Sequence, residues 1–256
     1  MVTGILQFLF STMLSQNVLI QTGNILSLKE IKTKINPTPT EEIIETLKIV
    51  LQDNESSGED PVVIKGKEDN AVQTITREKA NITVKVFMSS PNVNLLTQAI
   101  DQVCDALNTS AIDSFVIAYK GKEDSEELLE SLKQLWNVVE KYVAIGKLSS
   151  VGLSDVNTNE FIALFQWAYT KPNILQIGLT TCCSVPVELQ KFTRINDVRL
   201  LTHCDYGQIL PQEELNNLFN ANVSLHWVTR YSVHLKRRGI LFSKGYLVYM
   251  NKTNNI

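Results

Sequence analysis

Residues 81–118 read NITVKVFMSSPNVNLLTQAIDQVCDALNTSAIDSFVIA, and the period of the apolar residues changes twice within them. Asn81–Phe87 is a short run of Ile, Val and Phe that reads as a strand. From Leu95 to Leu107 the apolar residues stand at 95, 96, 99, 100, 103, 106 and 107, which is the spacing of one helix face. Ile112–Ala118 is a strand again. Strand, helix and strand in succession point to a parallel crossover, because parallel neighbours cannot be joined by a tight turn.

The alternation continues downstream. Apolar residues at 128, 129, 132, 135, 136, 139, 142 and 143 make Glu126–Val143 an amphipathic helix, and Ser150–Leu153 reads as a strand. Asn157, followed three residues later by Glu160, has the form of a helix start for a segment running through Trp167. Ile174–Leu179 and Val198–Thr202 read as strands, with Pro186 opening a helix to about Ile195 between them. Trp227–Arg238 reads as a helix stopped by Gly239, with Lys236, Arg237 and Arg238 as cations at its carboxyl end, and Ile240–Phe242 as the last strand. Six strands separated by helices predict an α/β fold with a parallel sheet. A chain of 256 residues suits a (β/α)8 TIM-type barrel forming one domain over 1–256. A doubly wound open sheet is the alternative, but no Gly-x-Gly-x-x-Gly follows any strand.

The amino-terminal part is less regular. Asn36–Pro39 is a turn, Thr40 is expected to cap a helix with apolar positions 43, 44, 47, 50 and 51, and a mobile loop is expected over 52–70. Residues 1–15 are apolar in part and expected to be disordered. They are too short to span a bilayer and have no positive lead-in, so neither membrane nor secretion is expected and the location is read as cytoplasmic. The net charge of −3 supplies no basic field for nucleic acid. Cys104, Cys182, Cys183 and Cys204 contain no Cys-x-x-Cys, and His203, His226 and His234 are scattered, so no metal site is expected. The thiols read as reduced, with a redox link to a partner through Cys182 or Cys183 as the competing idea. Trp136 and Trp167 read as packing residues.

Four strings carry a family resemblance. Val151–Asp155 (VGLSD), Lys171–Gln176 (KPNILQ), Arg77-Glu78 with Lys85, and Arg230–Lys244 resemble, in order, segments of the aldo/keto reductases. The resemblance implies that Ser154, Asp155 and Gln176 stand where that family holds a nicotinamide carboxamide, and that Lys85 stands for the catalytic lysine. Hydride transfer to a carbonyl leaves an alkoxide that needs a proton. Ala118 occupies the position of the family's histidine, and no Asp-Thr-Ala-x-x-Tyr segment precedes Lys85. His203 stands where a tyrosine would stack on nicotinamide, and only 12 residues follow Lys244, where the family clamps an adenosine phosphate. The resemblance therefore implies a carboxyl-terminally shortened barrel with a vestigial site (Lys85, Ser154, Asp155, Gln176, His203, Lys244), no catalysis, and at most residual NADPH binding.

Gln21–Asn24, Cys182-Cys183, Leu200–His203, Arg230–Val233 and Ser243–Tyr246 are similar to a second, closer family, the regulatory (modifier) subunits of glutamate–cysteine ligase. That resemblance implies a non-catalytic partner of the ligase catalytic subunit in a heterodimer. Such a partner would improve the use of glutamate and relieve feedback inhibition in glutathione biosynthesis. An NADPH-dependent aldo/keto reductase acting on small carbonyls is the alternative function.

Overall fold

The computed structural model describes residues 17–33, 35–53, 61–66, 76–121, 125–178, 185–205 and 207–252. The chain divides into two compact units, one of residues 1–80 and 207–256 and one of residues 81–206.

The second unit carries the strand–helix alternation. Its strands are β3 (Ala80–Met88, starting at the unit boundary), β4 (Ile112–Tyr119), β5 (Leu148–Ser154), β6 (Ile174–Gly178) and β7 (Arg199–His203). Each pairs in parallel with the next, and the connections are α2 (Val93–Ala106), α3 (Ser125–Ala144), α4 (Thr158–Trp167) and α5 (Val187–Ile195). The strands succeed one another in one direction with no reversal of order. A doubly wound sheet needs such a reversal, so these residues follow the barrel-type progression. Two helices begin where the sequence places their starts, with Asn157 accepting from the Glu160 amide and Pro186 preceding α5, and α2 begins at Asn92, which accepts from the amides of Asn94 and Leu95. One face of α2 buries Leu96, Ala99, Ile100, Val103 and Cys104, the stripe that its spacing predicts. Gly152 sets how closely β5 and β6 approach, since a Cβ there would lie 2.0 Å from the carbonyl oxygen of Ile174.

The first unit is built differently. It contains β1 (Asn17–Gln21), α1 (Pro39–Asp53), β2 (Val62–Lys65), α6 (Gln212–Phe219), β8 (Val223–Leu235) and β9 (Leu241–Lys252). Strand β1 runs parallel to β2 and antiparallel to β9, which pairs antiparallel with β8.

Several expectations are corrected here. Residues 227–238 are not a helix. Most belong to β8, where Thr229, Tyr231 and Val233 are buried while Arg230, Ser232 and His234 are not, a period of two. Lys236, Arg237 and Arg238 sit at a hairpin tip rather than a helix end. The tip closes through Gly239 (φ +61°), with Leu235 accepting from its amide and donating to Ile240. The strand expected at 240–242 is Leu241–Lys252, the second arm of an antiparallel hairpin with β8. Helix α1 is capped by Thr38, not Thr40: its hydroxyl accepts from the Glu41 amide while the Glu41 carboxylate accepts from the Thr38 amide (3.2 and 2.8 Å). Within the loop expected over 52–70, Val62–Lys65 is a strand and Gln52 and Asp53 end α1. Among the described residues no helix is long and apolar enough to cross a membrane.

Candidate functional site

The polar side chains that the second unit gathers lie at the carboxyl ends of its parallel strands, where α/β sheets place ligands and chemistry. Asp155 follows β5 directly and takes a left-handed conformation (φ +58°), which Asp tolerates better than most residues. Its amide still donates to the Gln176 carbonyl (2.9 Å), extending the β5–β6 ladder by one rung. The turn aims the carboxylate across the ends of β6 and β7. Oδ1 accepts from the Gly178 amide (3.0 Å) and lies 2.9 Å from His203 Nε2, while Oδ2 accepts from the Ser154 hydroxyl (2.9 Å). A side chain at Gly178 would crowd this meeting, because its Cβ would stand 3.3 Å from Asp155 Oδ1 and 3.5 Å from the His203 ring.

His203 links this carboxylate to a second one. Its Nδ1 accepts from the Asp205 amide (3.1 Å), so the hydrogen is assigned to Nε2, which donates toward Asp155. Lys85 rises from β3 and places Nζ 2.8 Å from Asp205 Oδ2, with both side chains only 5% exposed. The same Oδ2 lies 3.4 Å from His203 Nδ1. Burial pushes the Asp155 carboxyl upward. The hydrogen bond from His203, the Ser154 hydroxyl and the Lys85 charge outweigh it and hold the group below its ordinary value.

The arrangement contains the order nucleophile, base and acid in Ser154, His203 and Asp205, with Ser154 Oγ 3.1 Å from His203 Nε2. It does not form an activated serine. The Ser154 hydroxyl hydrogen is given to Asp155, the Nε2 hydrogen points to the same carboxylate, and Ser154 is buried. No acceptor remains on the imidazole for the serine proton. For carbonyl reduction, the Lys85 ammonium is bound to Asp205. Ala118, beside Ser154 in the β4–β5 register, supplies no proton donor at the position that the resemblance assigns to histidine.

A nicotinamide fits these residues poorly. Ser154 and both Asp155 oxygens are engaged within the chain, whereas Gln176 Oε1 is buried without a hydrogen-bond partner among the described residues. Lys244 lies in the first unit, on β9, with Nζ 2.6 Å from Glu42 Oε1, and Tyr246 also hydrogen-bonds Glu42. The fold therefore brings Lys85, Ser154, Asp155 and His203 into one network, sets Gln176 beside Ser154 in register, and commits Lys244 elsewhere. Cys182 and Cys183 lie outside the described residues. Asp205 is the member that sequence reasoning missed. Its signal was its place two residues beyond β7, at the strand end where such groups collect. Trp136 is buried, as expected of a packing residue, whereas Trp167 is 44% exposed.

No family model matches the chain. A human protein named glutamate–cysteine ligase regulatory subunit is 32% identical over 248 residues, covering 90% of this chain and 90% of its own length. The Bos taurus protein of the same name matches at the same identity and coverage. Aldose reductase B of Dictyostelium discoideum is 24% identical over 195 residues, covering 65% of this chain and 62% of its own. Among solved structures, an aldo-keto reductase from a Medee basin deep-sea metagenome aligns with a TM-score of 0.42 at 18% identity, over 51% of this chain and 48% of that one.

Proposed function

This chain belongs to the glutamate–cysteine ligase regulatory-subunit family, and on that premise we propose that it binds the ligase catalytic subunit as a heterodimer in the cytoplasm. In this reading it raises the efficiency of the catalytic subunit with glutamate and relieves feedback inhibition by glutathione. Its contribution to glutathione biosynthesis is thus made through a partner's active site, without a cofactor of its own. The whole-length likeness to proteins named regulatory subunits carries the reading. The geometry supports it, because Lys85, Asp205, His203, Asp155 and Ser154 satisfy one another and leave no acid–base pair poised for turnover.

The test is co-elution with the purified catalytic subunit, followed by its glutamate KM and glutathione inhibition with and without an equimolar amount of this chain. A stable complex, a lower KM and weaker inhibition are expected. Separate elution, or kinetics that the chain does not change, overturns the proposal. NADPH oxidation over a panel of small carbonyls should stay at the buffer rate, and turnover abolished by Lys85→Met would favour the reductase reading instead.

A further inference from the structure

Ten large apolar side chains are prominently exposed among the described residues, and four of them fall on three adjacent connections of the second unit. Ile145 (67% exposed) lies between α3 and β5, Trp167 (44%) ends α4 and Tyr169 (93%) follows it before β6, and Ile195 (82%) ends α5 before β7. Strands β5, β6 and β7 are parallel neighbours, so these connections stand side by side at their amino-terminal ends. Neighbouring strands are roughly 5 Å apart, so the connections lie along one short edge. Tyr169 alone offers on the order of 200 Å². The group together reaches the size at which an apolar patch marks an interaction site.

These side chains are held on a rigid backbone. Next to Tyr169, the Thr170 amide donates to Glu140 on α3 (2.8 Å) and the Thr170 carbonyl accepts from the indole of buried Trp136 (2.9 Å). Lys147 donates from its amide to Tyr142 (2.9 Å), and Arg199 from its amide to Asn173 (3.0 Å). An anchor presented this way loses little conformational freedom on binding. At its rim Arg194 and Arg199 flank Asp197, while Lys147 pairs with Asp101 (3.1 Å) and Lys171 donates to the Gln166 and Ala168 carbonyls. An aromatic anchor with arginines at its rim is the composition of a protein interface.

We propose that the amino-terminal edge of β5–β7 is the docking surface for the ligase catalytic subunit. Tyr169 and Ile195 act as apolar anchors, and Arg194 and Arg199 face acidic groups of that partner. The inference rests on the regulatory-subunit reading above and adds to it where the two chains meet. It places contact at the end of the sheet opposite the polar network.

Titration of the catalytic subunit with wild-type chain, Tyr169→Ala/Ile195→Ala, Arg194→Glu/Arg199→Glu and Val187→Ala tests it. Val187 is an exposed apolar residue that opens α5, on the carboxyl-end side of the strands. The double alanine variant should raise Kd on the order of thirtyfold. The charge-reversed variant should slow association and flatten its salt dependence, and Val187→Ala should bind as wild type. All are surface changes, and an unchanged melting temperature confirms folding for each. If wild type binds and both double variants bind equally well, this inference fails while the functional reading stands. If wild type does not bind, both fail. If sedimentation shows that the chain pairs with itself and that Tyr169→Ala/Ile195→Ala abolishes the pairing, the surface belongs to a second copy and the inference is overturned.

Discussion

Lys85→Met removes the ammonium from a contact of 2.8 Å in which both partners are 5% exposed. At that distance and an effective dielectric constant of about 20, the Coulomb attraction is on the order of 6 kcal/mol. Desolvation of the two ions, roughly several kcal/mol each, offsets most of it while both are present. Removing Lys85 alone leaves Asp205 desolvated without its counter-ion, for an expected loss of about 3–5 kcal/mol. The double variant Lys85→Met/Asp205→Leu removes both charges and should recover most of the loss. Urea unfolding followed by tryptophan fluorescence gives the comparison, since Trp136 is buried in the same unit. A single variant within about 1 kcal/mol of wild type, or a double variant that loses the sum of both single changes, would refute the account of a coupled buried pair.

Three other outcomes follow from named contacts. Asp155 is held below the ordinary carboxyl value, so its contribution to stability is present above the unfolded value of about 3.9 and is lost as pH falls through the lower folded one. Asp155→Asn, which keeps a residue tolerant of the left-handed conformation, should therefore flatten the fall of Tm between about pH 5 and pH 2.5; an unchanged slope would show that the carboxylate is not stabilised there. Gly152→Ala sets a Cβ 2.0 Å from the Ile174 carbonyl oxygen, a backbone atom that cannot swing aside, and should cost at least about 3 kcal/mol in a thermal melt. Deleting residues 246–256 removes the buried Tyr246, Leu247, Val248, Tyr249 and Met250 from β9. Rapid limited proteolysis of the first unit is expected, and a protease-resistant truncated chain would refute the central place of β9.

Much of the second unit was legible because its signals are local. The stripe of α2, the Asn157 cap and the Pro186 start each depend on residues within a turn or two of one another, and the structure keeps them. The first unit is less legible for two different reasons. Residues 227–238 alternate with a period of two along most of β8, but three cations before Gly239 are also what a helix carboxyl end carries, so the local signals conflict. Residues 62–65 are too few, beside a polar stretch, to declare themselves as a strand without their partner β1.

The candidate site divides along the same line. The sequence by itself determined which strand ends carry Lys85, Ser154, Asp155, Gln176 and His203, and that Ala118 supplies no proton donor. It also determined the family, through strings spread over the whole chain. Only the tertiary structure decided what those groups do to one another. Asp205 lies 120 positions from Lys85, and the ion pair exists because β3 and the end of β7 bring the two together in a buried place where neither charge is stable alone. The same folding set Ile145, Tyr169 and Ile195, each unremarkable in its own loop, along one edge, because parallel strands carry their preceding connections to the same end.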